Sequence, residues 1–337
     1  MKTIVILISL SLAGGSLFLS GCSKGAKSVS AATNDDASAA STAVGGSDSA
    51  GPIDLKIKWQ TGKQYDMSMD LNQSTDINVS GQPVHQELKL TQGLHYSPLK
   101  DLDNGRHQVE MEFDRQNLDI VQNGKEIMNW DSTQKTPIQP DSPVAPVAAV
   151  MSAMLGVPLD YTLAADGSVE RIDGIDSLTN HIAAAVPEQR QRVSLAQLFD
   201  EDTLKQYGSF SQSLPDHPVK IGDTWSSSHD INNPAGVMTV DGTYTFKNWE
   251  QHSGHNCVHI LITGDIKTKS ASAATVGAVV KVQNGTIGGD AWFDPDLGMF
   301  VDIDTGQDLT LNITTRTMEL NEHMKQKVDM ALLSINP

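Results

Sequence analysis

The chain has 337 residues, 41 of them acidic and 24 basic, for a formal charge of −17. A body this acidic offers no electrostatic footprint for nucleic acid, whose phosphates would repel it, and no basic patch for an anionic lipid surface. Aromatic residues make up 5% of the chain. That is thin material for the exposed stacking platforms of a carbohydrate-processing cleft.

Met1 and Lys2 lead into a nearly uncharged apolar run through Leu19, the pattern of a secretory signal. A membrane-spanning helix is the competing reading, but Gly14, Gly15 and Ser16 interrupt the run. The tetrapeptide Leu19-Ser20-Gly21-Cys22 that follows resembles the lipobox of bacterial lipoprotein signals. The resemblance implies cleavage after residue 21 and attachment of lipid, including an acyl chain such as palmitate, to Cys22. Two or three acyl chains anchor a protein stably where one does not. Loss of residues 1–21 removes Lys2 and leaves 23 basic against 41 acidic residues, a charge of −18, so the lipid on Cys22 is the expected attachment to the bilayer. The expected location is the bacterial envelope. Ser23, rather than Asp, after the cysteine points to the outer membrane facing the periplasm under enterobacterial sorting rules. With Cys22 lipidated, Cys257 has no disulfide partner within the chain, and the exported domain must be held by its core.

Residues 22–51 are rich in Ser, Ala, Gly, Thr and Asp and read as a flexible tether. Random-coil scaling gives it a reach of about 30 Å. Residues 52–337 form the expected β-rich envelope domain, with a helical insert at about 145–213. Ile53, Leu55, Ile57 and Trp59 alternate with polar residues, Gly62 marks a turn, and Tyr65, Met67, Met69 and Leu71 resume the alternation. Further strands are expected near 84–96 and 108–121, with Asn104-Gly105 and Asn123-Gly124 as turns. Pro146 and Gly156 bracket a short helix over 147–155, apolar nearly all round and therefore expected to be buried.

A hairpin is expected over 159–163 and 168–172 around Asp166-Gly167. Two helical stretches follow, one capped by Asp176 and one over 194–207 whose last piece Asp200 caps. Strands return near 236–248, 256–268, 278–293, 299–304, 308–319 and 326–335. This order predicts an α+β fold: a predominantly antiparallel curved sheet with a central group of short helices packed on one face. Length allows one domain or two β-rich halves, and the absence of a convincing repeat favours one.

Four phrases, in this order, resemble an uncharacterised family of bacterial secreted lipoproteins known only as a domain of unknown function. They are Trp59-Gln-Thr-Gly62-Lys-Gln-Tyr65, then Leu159-Asp-Tyr161-Thr-Leu163 leading to Asp166-Gly167-Ser-Val169, then Leu214-Pro215 with Pro218-Val-Lys-Ile-Gly222-Asp223-Thr-Trp225, and lastly Gly288-Gly289 with Phe293-Asp294 and Gly298. The resemblance spans most of residues 53–318. It implies an exported location and a β-rich fold, and brings no catalytic residues with it. The expected architecture also looks like the lipoprotein-carrier and lipid-binding folds of the bacterial envelope, an analogy from which function does not follow.

The one metal-like constellation is His252-Ser-Gly-His255-Asn-Cys257-Val-His259, in which alternation puts His255, Cys257 and His259 on one strand face. Two imidazoles and a thiolate suit zinc or copper, yet same-face neighbours on a strand stand some 6.5–7 Å apart and converge poorly on bonds near 2 Å. The competing reading is a turn at Ser253-Gly254 with Cys257 as a buried structural thiol. No metal and no cofactor beyond the lipid on Cys22 is therefore expected. Asp294-Pro-Asp296-Leu-Gly298 and Asp302-Ile-Asp304 invite calcium but match tight-turn chemistry better. No nucleophile elbow, His-Glu-x-x-His or phosphate loop is present. The reading that results is a non-enzymatic module binding an apolar ligand or an envelope partner beside the helix at 147–155. A scaffold with a filled core ranks second, and a metal-dependent or hydrolytic enzyme using the His252 to His259 strip third. A Cys22→Ala form is expected in the soluble fraction of fractionated cells; retention on washed membranes would overturn lipid anchoring.

Overall fold

A computed structural model describes residues 51–337 except 80, 135–144, 187–200, 234–235, 272–277 and 316–318. Cys22, the tether, Asp200, the start of the Pro-rich stretch and the first half of the helix expected over 194–207 lie outside the described residues.

The backbone is not the α+β arrangement the sequence predicts. It is mostly β, one 12-stranded antiparallel sheet accompanied, among the described residues, by three short α-helices. The strands are β1 (Gln64–Val79), β2 (Gln82–Asp101), β3 (His107–Gln122), β4 (Lys125–Asp131), β5 (Leu159–Leu163) and β6 (Val169–Asp173). After the helices come β7 (Thr224–Asn233), β8 (Gly236–His252), β9 (His255–Ala271), β10 (Ala278–Asp294), β11 (Met299–Thr315) and β12 (Glu319–Asn336). The discrepancy lies in strand length. A 17-residue strand runs roughly 55 Å, and the break expected between strands at 299–304 and 308–319 is absent: β11 runs unbroken from Met299 to Thr315, residues 316–318 are outside the described residues, and Glu319 opens β12. Conversely, the alternating segment 53–59 is extended but makes no ladder. It joins the body through an isolated bridge to Val219, with Ile53 and Val219 exchanging 2.8 Å N–H···O bonds, and through Lys58 N–H donating to the Gly298 carbonyl at 2.9 Å.

The sheet order is β6-β5-β3-β2-β1-β12-β11-β10-β9-β8-β7, with β4 also paired to β3. Two simple meanders meet where the last strand returns beside the first: β1 pairs with β12 from Gln64↔Asn336 to Ile77↔Glu322. β3 shares its outer edge between β5 at His107 to Met111 and β4 at Asn117 to Gln122, so one margin of the sheet is short and staggered. The other margin is β7. The turn between β3 and β4 is Asn123-Gly124, with φ of 50° and 72°, the left-handed pair that a tight two-residue hairpin requires.

The helices are α1 (Ala145–Met154), α2 (Ile175–Ala185) and α3 (Glu201–Tyr207). As its composition predicts, α1 is buried, with Ala148, Val150, Met151 and Met154 inside the largest core cluster among Met67, Met69, Met111 and Phe113. Asp176 lies in the first turn of α2 rather than at its cap, which is Gly174 in a left-handed conformation. The Tyr96 and Tyr161 hydroxyls donate to the carbonyls of Tyr207 and Leu204, each at 2.8 Å, and so fasten α3 to the sheet.

Long strands have to coil, and in this sheet the backbone crowds Gly264. Cα atoms of β8 and β10, two strands apart, come within 8 Å, less than the roughly 9.5 Å of two flat spacings. Gly242 and Gly264 face each other across the β8–β9 ladder. A Cβ on Gly264 would lie 2.4 Å from the Asp241 carbonyl oxygen and 3.1 Å from the Gly242 Cα, both backbone atoms that cannot swing aside. Gly264→Ala is expected to lower stability by about 1–3 kcal/mol, while Gly288→Ala, whose nearest neighbour would be 3.6 Å away, should be nearly neutral. Urea unfolding of the two variants checks the contrast.

Candidate functional site

Alternation along each long strand sends one row of side chains to the inner face, where the three apolar clusters lie. Midway along the strands that row turns polar. On β1 the inward residues run Tyr65, Met67, Met69, Leu71, then Gln73 and Thr75, then Ile77. Residues directly opposed across a ladder share a face, so Gln73, Gln326 and Gln307 stand side by side on β1, β12 and β11. Thr75 opposes Gln86, and further along β2 and β3 Gln92 opposes Gln116. All of these are buried. The Gln73 amide nitrogen donates to the Thr75 hydroxyl at 3.0 Å and the Tyr207 hydroxyl to the Gln92 carbonyl oxygen at 3.1 Å. The amides of Gln86, Gln116 and Gln326 have neither donor nor acceptor partnered among the described residues.

Two ionisable groups sit on the same face. Glu322, on β12, is 1% exposed and opposed by Ile77 on β1 and Leu311 on β11, both members of an apolar cluster. Neither carboxyl oxygen has a partner among the described residues, and burial alone pushes its pKa up to about 7. His229, on β7, is 4% exposed, opposes Val240, and has both ring nitrogens unpartnered. Burial holds its pKa down at about 4, against a smaller opposing effect of Asp230. Sequence reading missed both groups. The available signal was register: the apolar alternation of β12 passes through Glu322 and Gln326 at inward positions.

The strip His252 to His259 lies on the opposite face. His255, Cys257 and His259 do share that face, joined by Glu250, Trp292 and Asp302 from the neighbouring strands through the pairs Glu250↔Cys257, Trp292↔His259 and Trp292↔Asp302. The Trp292 indole is stacked between two imidazoles, His252 at 4.1 Å and 13° and His259 at 5.2 Å and 10°. Each imidazole is held by carboxylates: His252 by Asp302 at 3.0 Å, His259 by Asp290 at 2.6 Å and Glu250 at 3.2 Å, and His255 by Asp294 at 2.8 Å. Among the described residues no three His, Cys, Asp or Glu side chains are placed to hold a metal ion. The Cys257 thiol is fully buried, and burial, aided by Asp294 and Glu250, pushes its pKa up to about 12, which keeps it from serving as a thiolate nucleophile or ligand.

The remaining sequence candidates have structural employment. Asp294 accepts the backbone N–H groups of Asp296 and Leu297 at 2.9 and 3.0 Å, ordinary turn chemistry, and Asp304 pairs with Lys327 at 3.0 Å. Asp223 accepts the Lys220 N–H at 3.0 Å within its turn. Trp59, Tyr65 and Trp225 are buried, whereas Trp292 is half-buried. A trough of about 630 Å³ crosses the sheet where Asn72, Lys89, Asp304, Asp308, Lys325 and Lys327 converge. Charged and amide side chains dominate its lining and no residue of α1 takes part, so it is not the apolar shelter expected beside that helix. Among the described residues no helix is long and apolar enough to cross a membrane.

Residues 104–300, more than half of the chain, match the family of unknown function DUF6263, and the chain belongs to that family. No curated protein matches it in sequence. Among solved structures it is similar to one described as lipid-protein interactions in lipovitellin, at 11% identity and a TM-score of 0.46, covering 83% of this chain and 26% of that one. OpdQ of Pseudomonas aeruginosa aligns at 6% identity and a TM-score of 0.20, covering 80% of this chain and 98% of its own. The chain therefore spans about a quarter of the lipovitellin chain, and at these scores neither likeness bears on function.

Burying Glu322 has a measurable signature. Folding raises its pKa from near 4.5 to about 7, so the folded state holds a proton that the unfolded state releases between those values. Its contribution is full below pH 4.5 and falls as pH rises, levelling off above 7 at about 3 kcal/mol less. Glu322→Gln should lack this slope and gain on the parent protein by roughly that amount between pH 4 and pH 8, read from urea unfolding at both pH values.

Proposed function

We propose that this chain is a lipid-anchored envelope protein that binds, without transforming, a small amphipathic molecule at the inner face of its sheet. The observation that carries this reading is the series of polar groups buried along the otherwise apolar inner face. A buried polar group left unpartnered costs about 1–3 kcal/mol, and Gln86, Gln116, Gln326 and Glu322 together present eight such side-chain atoms. Natural proteins keep such groups where something polar meets them. Apolar side chains are interleaved with these groups: Leu309 and Met324 lie between Glu322 and Gln326, and Met69 and Met330 lie level with Gln92 and Gln116. A guest with hydrogen-bonding groups and an apolar part is complementary to that pattern; a purely apolar ligand is not.

The tether and Cys22 complete the reading. Lipid on Cys22 would hold the acidic body at the outer membrane, and residues 22–51 would let it reach into the periplasm. Binding is favoured over catalysis because, in the strip from His252 to His259, Cys257 is buried and the imidazoles are paired with Glu250, Asp290, Asp294 and Asp302. Protein purified from its native membrane under mild conditions is expected to release a small amphipathic molecule on denaturation, detected by mass spectrometry. Repeated preparations free of any such molecule, with no spectral change on adding amphiphiles, would overturn the reading.

A further inference from the structure

Resting on that reading, the geometry points to the class of guest: we infer that it is an amphipathic primary amine whose ammonium group pairs with the Glu322 carboxylate while its apolar chain lies among Ile77, Leu311, Leu309 and Met324. Charge is the deciding observation. Among the described buried residues there is no lysine or arginine, and the carboxylates on that roll are Glu322 and Asp294, the latter occupied by His255 and its own turn. Among the described residues Glu322 thus faces no cation. Its neighbours within the sheet are apolar: Leu320 and Met324 on its own strand, Ile77 on β1 and Leu311 on β11. No charged group acts on it, burial being the one influence on its titration.

An anionic guest would bring a second negative charge into an apolar setting, where repulsion is strong. A neutral guest would leave the carboxylate uncompensated. A protonated amine removes the deficit and gains a charge-assisted hydrogen bond in the low-dielectric interior. Thr75 and Gln86 lie one register step along the same face, and Gln73, Gln326 and Gln307 two steps, about 13 Å from Glu322 along the strand. Hydroxyl or amide groups along the guest would meet them there. The net charge of −17 favours the approach of a cation over that of an anion.

The test compares decylammonium, 1-decanol and decanoate, probes of equal chain length, by calorimetric titration of the mature full-length chain carrying Cys22→Ala to keep it out of lipid. At pH 8 decylammonium should bind at least tenfold more tightly than decanol, and decanoate more weakly than either. The amine's advantage should vanish in Glu322→Gln and at pH 5.5, where Glu322 is mostly protonated. Should that variant not fold, the pH profile of the parent protein decides. Equal affinity for amine and alcohol, or an advantage that survives in Glu322→Gln, would overturn the amine while leaving the amphiphile-binding reading intact. Binding of none of the three would overturn both.

Discussion

The rest of the structure depends on register. In a strand of 16 to 20 residues every second side chain goes to the same face, whatever its chemistry, and a slip of one residue would exchange the two faces along the whole length. The ladders between β1, β2, β11 and β12 tie each strand on both sides over a dozen or more positions. Glu322 and Gln326 therefore cannot turn outward without exposing Met324, Val328 and Met330. Burial of polar groups here is imposed by the strands, and it is their number along one otherwise apolar face that suggests a use for them.

This constraint also accounts for what was legible in the sequence. The hairpins at Asn104-Gly105, Asn123-Gly124 and Asp166-Gly167 were readable because turn chemistry is local, and α1 was readable because Pro146 and Gly156 bracket an apolar run. Strand length was not, because polar residues on the buried face break the apolar alternation. Gln73 and Thr75 end the visible pattern of β1 near Leu71, although the strand continues to Val79. The same interruption divided β11 in two at Thr305 and Gln307. Shortened strands left more chain to helix and turn, and the expected class drifted toward α+β. At 53–59 the error ran the other way, since an extended segment packed by Leu55 and Trp59 alternates in burial without belonging to a ladder.

The histidine strip shows the limit of one-dimensional reading at a site. Spacing correctly placed His255, Cys257 and His259 on one face. It could not supply Trp292, Asp290, Asp294 and Asp302, which arrive from β10 and β11 some thirty to fifty residues away, engage His252, His255 and His259 through carboxylates, and set an indole against two of those rings. Carboxylates that hold the ring nitrogens also hold the ring planes, and with both stacked on Trp292 the arrangement reads as a brace across β8 to β11. The turn Ser253-Gly254, with φ of 49° and 86°, closes the hairpin from which it hangs.

The two margins of the sheet differ in how they would meet another unpaired strand. One is divided between β4, of 7 residues, and β6, of 5, offset from each other along β3, and short staggered edges make poor templates. The other is the 10-residue β7, whose outward side chains Thr224, Ser226, Ser228 and Asp230 are polar, with Asp230 tied to Thr239 at 2.8 Å and ion-paired to Lys269. Its inward row includes His229, an imidazole that a straight, apolar fibril-like stack would have to bury unpartnered a second time. A chain dominated by long strands thus keeps its one extended edge among the described residues polar, and a polar edge is a poor template for pairing with a second copy.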